Sequence, residues 1–248
     1  VVAVPTTAGT GSEVGRASVI TDDEAHIKRI IFHARMLPAL VILDPELTVG
    51  LPPRITAATG MDALSHNLEA YCSPVFHPMA EGIALEGMRL VKEYLPRATA
   101  QGDDLEARLK MLVASSMGAT AFQRGLGGMH ALAHPLGALY DAHHGTLNAI
   151  LMPYVLQANR SSIEPQMERL GRYLDLPRHD FTGVLDWVLE LRSELDIAHN
   201  LAEIGIDDLQ IERVGQMAVE DATAGTNPIQ FDAGQYSAIF TRALHGQL

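Results

Sequence analysis

Four of the chain's 11 histidines fall within GGMHALAHPLGALYDAHHG, residues 127–145. His130, His134 and His144 stand there among small and apolar residues rather than in a charged tail. His130 and His134 are spaced i, i+4, so a helix would put both imidazoles on one face. Gly137 and the following YDAHHG would let the chain turn and bring His144 back towards them. A second pair with the same spacing, Asp62 and His66, lies in MDALSH. Its ordinary reading is a carboxylate–imidazole contact supporting a helix. In an apolar setting that carboxylate needs a strong partner, because burying an unpaired charge is costly. One carboxylate and three imidazoles make a mixed oxygen–nitrogen donor set suited to a borderline divalent cation such as Fe2+ or Zn2+. The set contains no thiolate, which argues against a structural cysteine-type zinc site. A single histidine on an apolar face is usually a satisfied core residue; several in one stretch, with an Asp/His pair elsewhere, are harder to dismiss.

A third stretch with chemical potential is PTTAGTGSE, residues 5–13. Glycine-rich loops after a strand can bring backbone amides and hydroxyls against a nucleotide. This one is not G-x-G-x-x-G, a Walker loop or a G-x-S-x-G elbow, so an ordinary strand-to-strand turn stays open beside the nucleotide reading.

Two kinds of element must position these residues. VVAV, ASVITDD, KRIIFH and ALVILDP are β-branched or apolar runs closed by turn residues, so residues 1–48 read as several strands of one sheet. From residue 49 the pattern is helical, opening at Pro52–Pro53, which suit a helix start. Ile55, Ala58, Met61, Leu64, Leu68 and Tyr71 recur at three- and four-residue steps and predict one apolar helix face. Eight further helical stretches follow, with TLNAILMPYVLQA and IEPQMERLGRYL read as separate ones. Turns at 175–177 and 226–228 divide the later helices. The fold class expected is therefore mainly α, an all-helical domain over 49–248 preceded by several strands of a sheet whose other strands are not present.

Composition narrows the partners. The 248 residues are 47% hydrophobic and only 5% aromatic, favouring helices packed through small side chains. A net charge of −12 without a basic run excludes nucleic acid as the expected partner. One cysteine, Cys72, allows no intrachain disulfide and suits a reducing compartment. With no long apolar run and no signal sequence evident, a cytoplasmic protein without a membrane partner is expected. The opening VVAVPTT begins in mid-strand and without Met, and reads as a fragment or a truncated product.

Taken in order, PTTAGTGSEV, DPELTVGLPPRITAATGMDALSHNLEAY and GGMHALAHPLGALYDAHHGTLNAILMPYV resemble the iron-containing (group III) alcohol dehydrogenase family. The resemblance runs to about residue 155. It implies a dehydroquinate synthase-like fold: an α/β dinucleotide-binding domain, then an all-helical domain holding a metal in the cleft. By position it makes Asp62, His66, His130 and His144 the metal ligands, with Fe2+ expected and Zn2+ suited to the same set. It makes His134 a residue lining the site, as a proton relay or as structural support. It places Thr6, Thr7 and Thr10 on the loop contacting NAD or NADP, and Lys28 at its ribose. The implied reaction interconverts a small alcohol with its aldehyde or ketone by metal-assisted hydride transfer, in a homo-oligomer. Three departures stand out: no Gly-Gly-Gly-Ser pyrophosphate loop, Gly15 where relatives often carry Thr, and an extra imidazole, His143, expected to point away. A metal-dependent lyase or hydrolase on the same ligands, or a non-catalytic metal-binding fragment, are the competing expectations.

Overall fold

The structure, a computed structural model, describes residues 1–22 and 27–248, with Val19, Thr21, Asp22 and residues 27–30 described at the level of the backbone. The strands do not form the one sheet expected from their sequence. β1 (Val2–Ala3) pairs in parallel with β4 (Leu40–Val41), Val2 opposite Leu40. β2 (Ala17–Asp22) and β3 (Ile27–Phe32) make a separate antiparallel pair, Ala17 opposite Phe32. ALVILDP contributes only two residues to a strand, because Asp44 instead caps a 3-10 turn at Pro45–Thr48 by accepting from the Glu46 N–H.

Eight α-helices follow among the described residues. α1 (Pro53–Cys72) starts where its prolines suit a helix, since the first-turn N–H groups have no intrahelical acceptor to lose. Its single apolar face is a correction. From Thr56 to Cys72 only Thr59 escapes full burial, so α1 is enclosed on every side. α2 (Pro78–Ala100), α3 (Leu105–Ala121) and α5 (His144–Tyr173) all pack against it. Polar residues on so buried a helix must be satisfied locally. Ser65 donates to the Asp62 carbonyl, and Asn67 bridges the carbonyls of Ala63 on α1 and Ala114 on α3.

α4 (Gly128–Tyr140) lies against α5 and α7 (Ile211–Glu220). α6 (Phe181–Glu194) packs on α5, and α8 (Ala233–His245) on α7. The two helices expected within 145–174 are one, α5, 30 residues long. The polar run Asn159–Ser162 that seemed to break it is accommodated by orientation. Asn159 turns inward to exchange hydrogen bonds with Asn227, while Arg160, Ser161 and Ser162 face solvent. The turn that returns His144 is likewise not made at Gly137, which lies inside α4. It is made at Asp141, whose left-handed backbone (φ 52°) ends the helix.

Candidate metal and nucleotide site

The site is assembled from three helices. α1 supplies Asp62 and His66 one turn apart, α4 supplies His130, and α5 supplies His144 at its first residue. One donor atom from each of these four residues can be chosen so that all lie within 4.8 Å of one another. Asp62 Oδ1 is 3.8 Å from His66 Nε2, 3.9 Å from His130 Nε2 and 3.5 Å from His144 Nε2. Those spacings are close to the ligand–ligand edges of a site with bonds of about 2.0–2.2 Å. Asp62, His66 and His130 are buried, whereas the His144 side chain is 39% exposed. The close approach of α5 to α1 depends on Gly145: a Cβ there would overlap the carbonyl oxygen of Ala58 and lie 3.3 Å from Asp62 Cβ.

The electrostatics fit a cation. Burial works against ionising Asp62, but the three imidazoles and the Asn148 amide outweigh it and hold its carboxyl below the usual range. Burial, reinforced by His66, holds His130 well below the usual imidazole range, so its ring is neutral and one of its two nitrogens offers a lone pair. A carboxylate oxygen and imidazole nitrogens aimed at one another repel unless positive charge or donors lie between them. Asn148 meets part of that need. Its Nδ2 donates to Asp62 Oδ1 at 2.9 Å and lies 3.1 Å from His144 Nε2 and 3.3 Å from His130 Nε2.

His134 stands one turn from His130 and outside the donor cluster. Its ring stacks on His144 with centroids 5.5 Å apart, and Nδ1 is 2.8 Å from Asp221 Oδ2. Asp221 is held from its other side, where Oδ1 accepts from the backbone and hydroxyl of Thr223. Burial disfavours its ionisation, and the bonds to His134 and Thr223 overcome that to keep its carboxyl low. His143 does turn away from the cluster: its Nδ1 caps α5 by accepting from the Thr146 N–H.

The loop of residues 5–13 is clamped to the helices. Ser115 on α3 donates to the Gly9 carbonyl at 2.9 Å, and Ser116 donates to the buried Glu13 carboxylate at 2.5 Å. Gly11 takes a left-handed conformation (φ 65°), and a Cβ there would overlap Ala119 and the Ser115 carbonyl. Gly9 sits against Thr59, less than one turn before Asp62 on α1. With the glycines turned inward, Thr6, Thr7 and Thr10 are exposed. The loop is thus a fixed ledge beside the donor cluster. The Lys28 side chain lies outside the described residues, although its backbone pairs opposite Thr21.

Sequence reasoning missed three residues that contact the cluster or its neighbours. Glu69 is on the same face of α1 as Asp62 and His66, at i+7, and Asn148 is at i+4 from His144; both spacings were available to read. Asp221 is 87 positions from His134, and no local pattern points to it.

A helical domain holding a carboxylate–trihistidine cluster, with a clamped hydroxyl-bearing loop beside it, defines a candidate metal site facing a candidate nucleotide ledge. The comparisons with known proteins agree on what that combination is. Residues 56–244 match the C-terminal model of the Fe-containing alcohol dehydrogenase family, and residues 1–45 match the iron-containing alcohol dehydrogenase model. The chain belongs to the iron-containing alcohol dehydrogenase family. It is similar to a 4-hydroxybutyrate dehydrogenase of Cupriavidus necator, 40% identical over 98% of this chain and 65% of the relative. Among solved structures it resembles a 1,3-propanediol oxidoreductase (TM-score 0.94, 35% identity, 98% of this chain and 65% of that one). It also resembles a sulfoacetaldehyde reductase from Bifidobacterium kashiwanohense in complex with NAD+ (TM-score 0.90, 29% identity, 98% and 64%). The chain thus spans about 65% of the length of the relatives it matches. No helix among the described residues is long and apolar enough to cross a membrane.

Proposed function

We propose that this chain carries the metal-binding part of an NAD(P)-dependent alcohol dehydrogenase acting on a small alcohol or its aldehyde. The observation that carries the reading is the convergence of Asp62, His66, His130 and His144 within 4.8 Å. When bound, a divalent ion (Fe2+, or Zn2+ on the same ligands) supplies Lewis acidity towards the alcohol oxygen, and NAD or NADP supplies the hydride acceptor.

The chain's own residues do the rest. Asp62 and the three imidazoles hold the ion with a single negative charge among them. The hydroxyls of Thr6, Thr7 and Thr10, presented by the clamped loop, face the nucleotide, and Lys28 belongs to the same reading as its ribose contact. That the NAD+-bound sulfoacetaldehyde reductase shares this fold supports a nucleotide beside the cluster. His134, with Nδ1 committed to Asp221, keeps Nε2 as the ring atom that can hold or pass a proton between substrate and solvent. A division near residue 49 into nucleotide-binding and metal-binding domains, a cytoplasmic location and a homo-oligomeric state belong to the same reading.

Metal analysis of the purified chain tests it, together with Asp62→Ala and His144→Ala. The intact chain is expected to carry close to one equivalent of iron or zinc and each variant much less. Unchanged metal content in both variants would sink the site. Nicotinamide absorbance during incubation with NAD+ or NADP+ and small alcohols or diols then tests the reaction.

A further inference from the structure

Glu69 is a carboxylate buried in the middle of the helical core, 5% exposed, on a helix whose other acid already serves the donor cluster. No lysine or arginine pairs with it among the described residues; two backbone N–H groups and one imidazole nitrogen do instead. Its Oε1 accepts from the Met129 N–H at 2.6 Å and its Oε2 from the Gly127 N–H at 2.9 Å. Oε2 also lies 2.7 Å from His130 Nδ1. Burial pushes the carboxyl up to about 7, against the pull of those donors.

The hydrogen-bond roles follow from the chemistry. A backbone N–H only donates, so both carboxylate oxygens are acceptors here. While Glu69 is ionised, His130 Nδ1, facing one of those oxygens, carries the hydrogen, and Nε2 is left with a free lone pair. Nε2 is the atom that points at Asp62. His66 has no such arrangement: its Nδ1 is buried without a hydrogen-bond partner among the described residues. Its ring is held by stacking on His130 (centroids 4.8 Å apart) and by the edge of Phe122 (5.0 Å). So the orientation of His66 leans on that of His130, and that of His130 leans on Glu69.

We propose that Glu69 is the positioning residue of the metal centre: it fixes His130 as the Nδ1–H tautomer and aims Nε2 into the donor cluster. The inference rests on the metal-site reading and names a residue that acts on the ion only through another. Asp62, His66 and Glu69, at i, i+4 and i+7, then form one functional stripe along α1: two donors and the group that orients a third. A plainer role is also visible, since Gly127 is the N-cap residue of α4 and Met129 lies in its first turn, and the carboxylate caps that helix from outside. The two roles separate in the tautomer.

The test substitutes Glu69→Gln and reads the metal-free protein first. By 15N NMR of the imidazole, wild-type His130 is expected as the Nδ1–H tautomer. In the variant, an amide that turns its NH2 towards His130 offers Nδ1 a donor and moves the proton to Nε2. Zn2+ affinity, measured by competition with a chromophoric chelator, is expected to fall by about 10- to 100-fold, the usual cost of losing such a partner. If the metal-free wild type holds His130 as Nε2–H, the proposal is overturned without recourse to any variant, which also covers a Glu69→Gln chain that does not fold. A folded variant with unchanged tautomer and unchanged Zn2+ affinity overturns it too. If the wild type shows the Nδ1–H tautomer yet binds no metal, it is the metal-site reading that fails, and with it the role given to Glu69.

Discussion

At the scale of single residues, type and spacing pointed to a metal site without separating His134 from the donors; the family resemblance made that separation, and the groups that orient the cluster were legible in neither. Asp62 and His66 declare themselves at i, i+4, and His130 and His144 flank a turn in one short stretch. Asp221 reaches His134 from a distant part of the chain, so no window of sequence contains the pair. That contact carries a prediction. In Asp221→Asn, the amide oxygen can keep the Thr223 bonds only by turning its NH2 towards His134 Nδ1, which drives the ring proton to Nε2. If His134 relays a proton, kcat falls by about a hundredfold, within the range for a general acid–base group, while metal content is unchanged. Steady-state kinetics beside metal analysis checks it; a variant with full kcat removes His134 from proton transfer.

At the scale of elements, helix existence followed from periodicity, but boundaries and environments followed from packing. α1 looked one-faced because its apolar residues repeat at helical steps, yet its polar residues are buried too, and several are held by neighbours on other helices that periodicity cannot reveal. α5 looked broken at Asn159–Ser162 because polarity was read as a loop, whereas only the facing partner, Asn227, explains how Asn159 enters the core. The helix junction that brings His144 to Asp62 depends on Gly145. A methyl group there would overlap the Ala58 carbonyl, and α5 would have to move off α1. Gly145→Ala is therefore expected to cost about 1–3 kcal/mol, as overpacking does, and to lower bound metal more than its stability loss alone explains. Thermal unfolding of metal-free and metal-loaded protein measures both: ligand stabilisation present in the wild type shrinks in the variant.

At the scale of the whole molecule, the mainly helical architecture was readable, while the strand pairing was not: β1 and β4 meet across residues 4–39, and pairing at that separation leaves no trace in a local pattern. The assembled site also has a direction. Asp62, His66 and His130 are closed in by helices, and only His144 among the four donors is substantially exposed, with the His134 ring laid against it. A centre open on one side exchanges its ion by one route, so lability is decided at that rim and not by the buried donors. His134→Ala, which removes the ring stacked on the exposed donor and set edge-on to His130 with centroids 5.9 Å apart, is expected to speed metal stripping by a small planar chelator several-fold while leaving the amount of metal bound at equilibrium nearly the same. Stopped-flow absorbance of the chelate follows this directly, and equal rates in the two proteins would place the route elsewhere. For the ion proposed here, the same geometry would make the rim both the point of loading and the point of first loss when that metal is scarce.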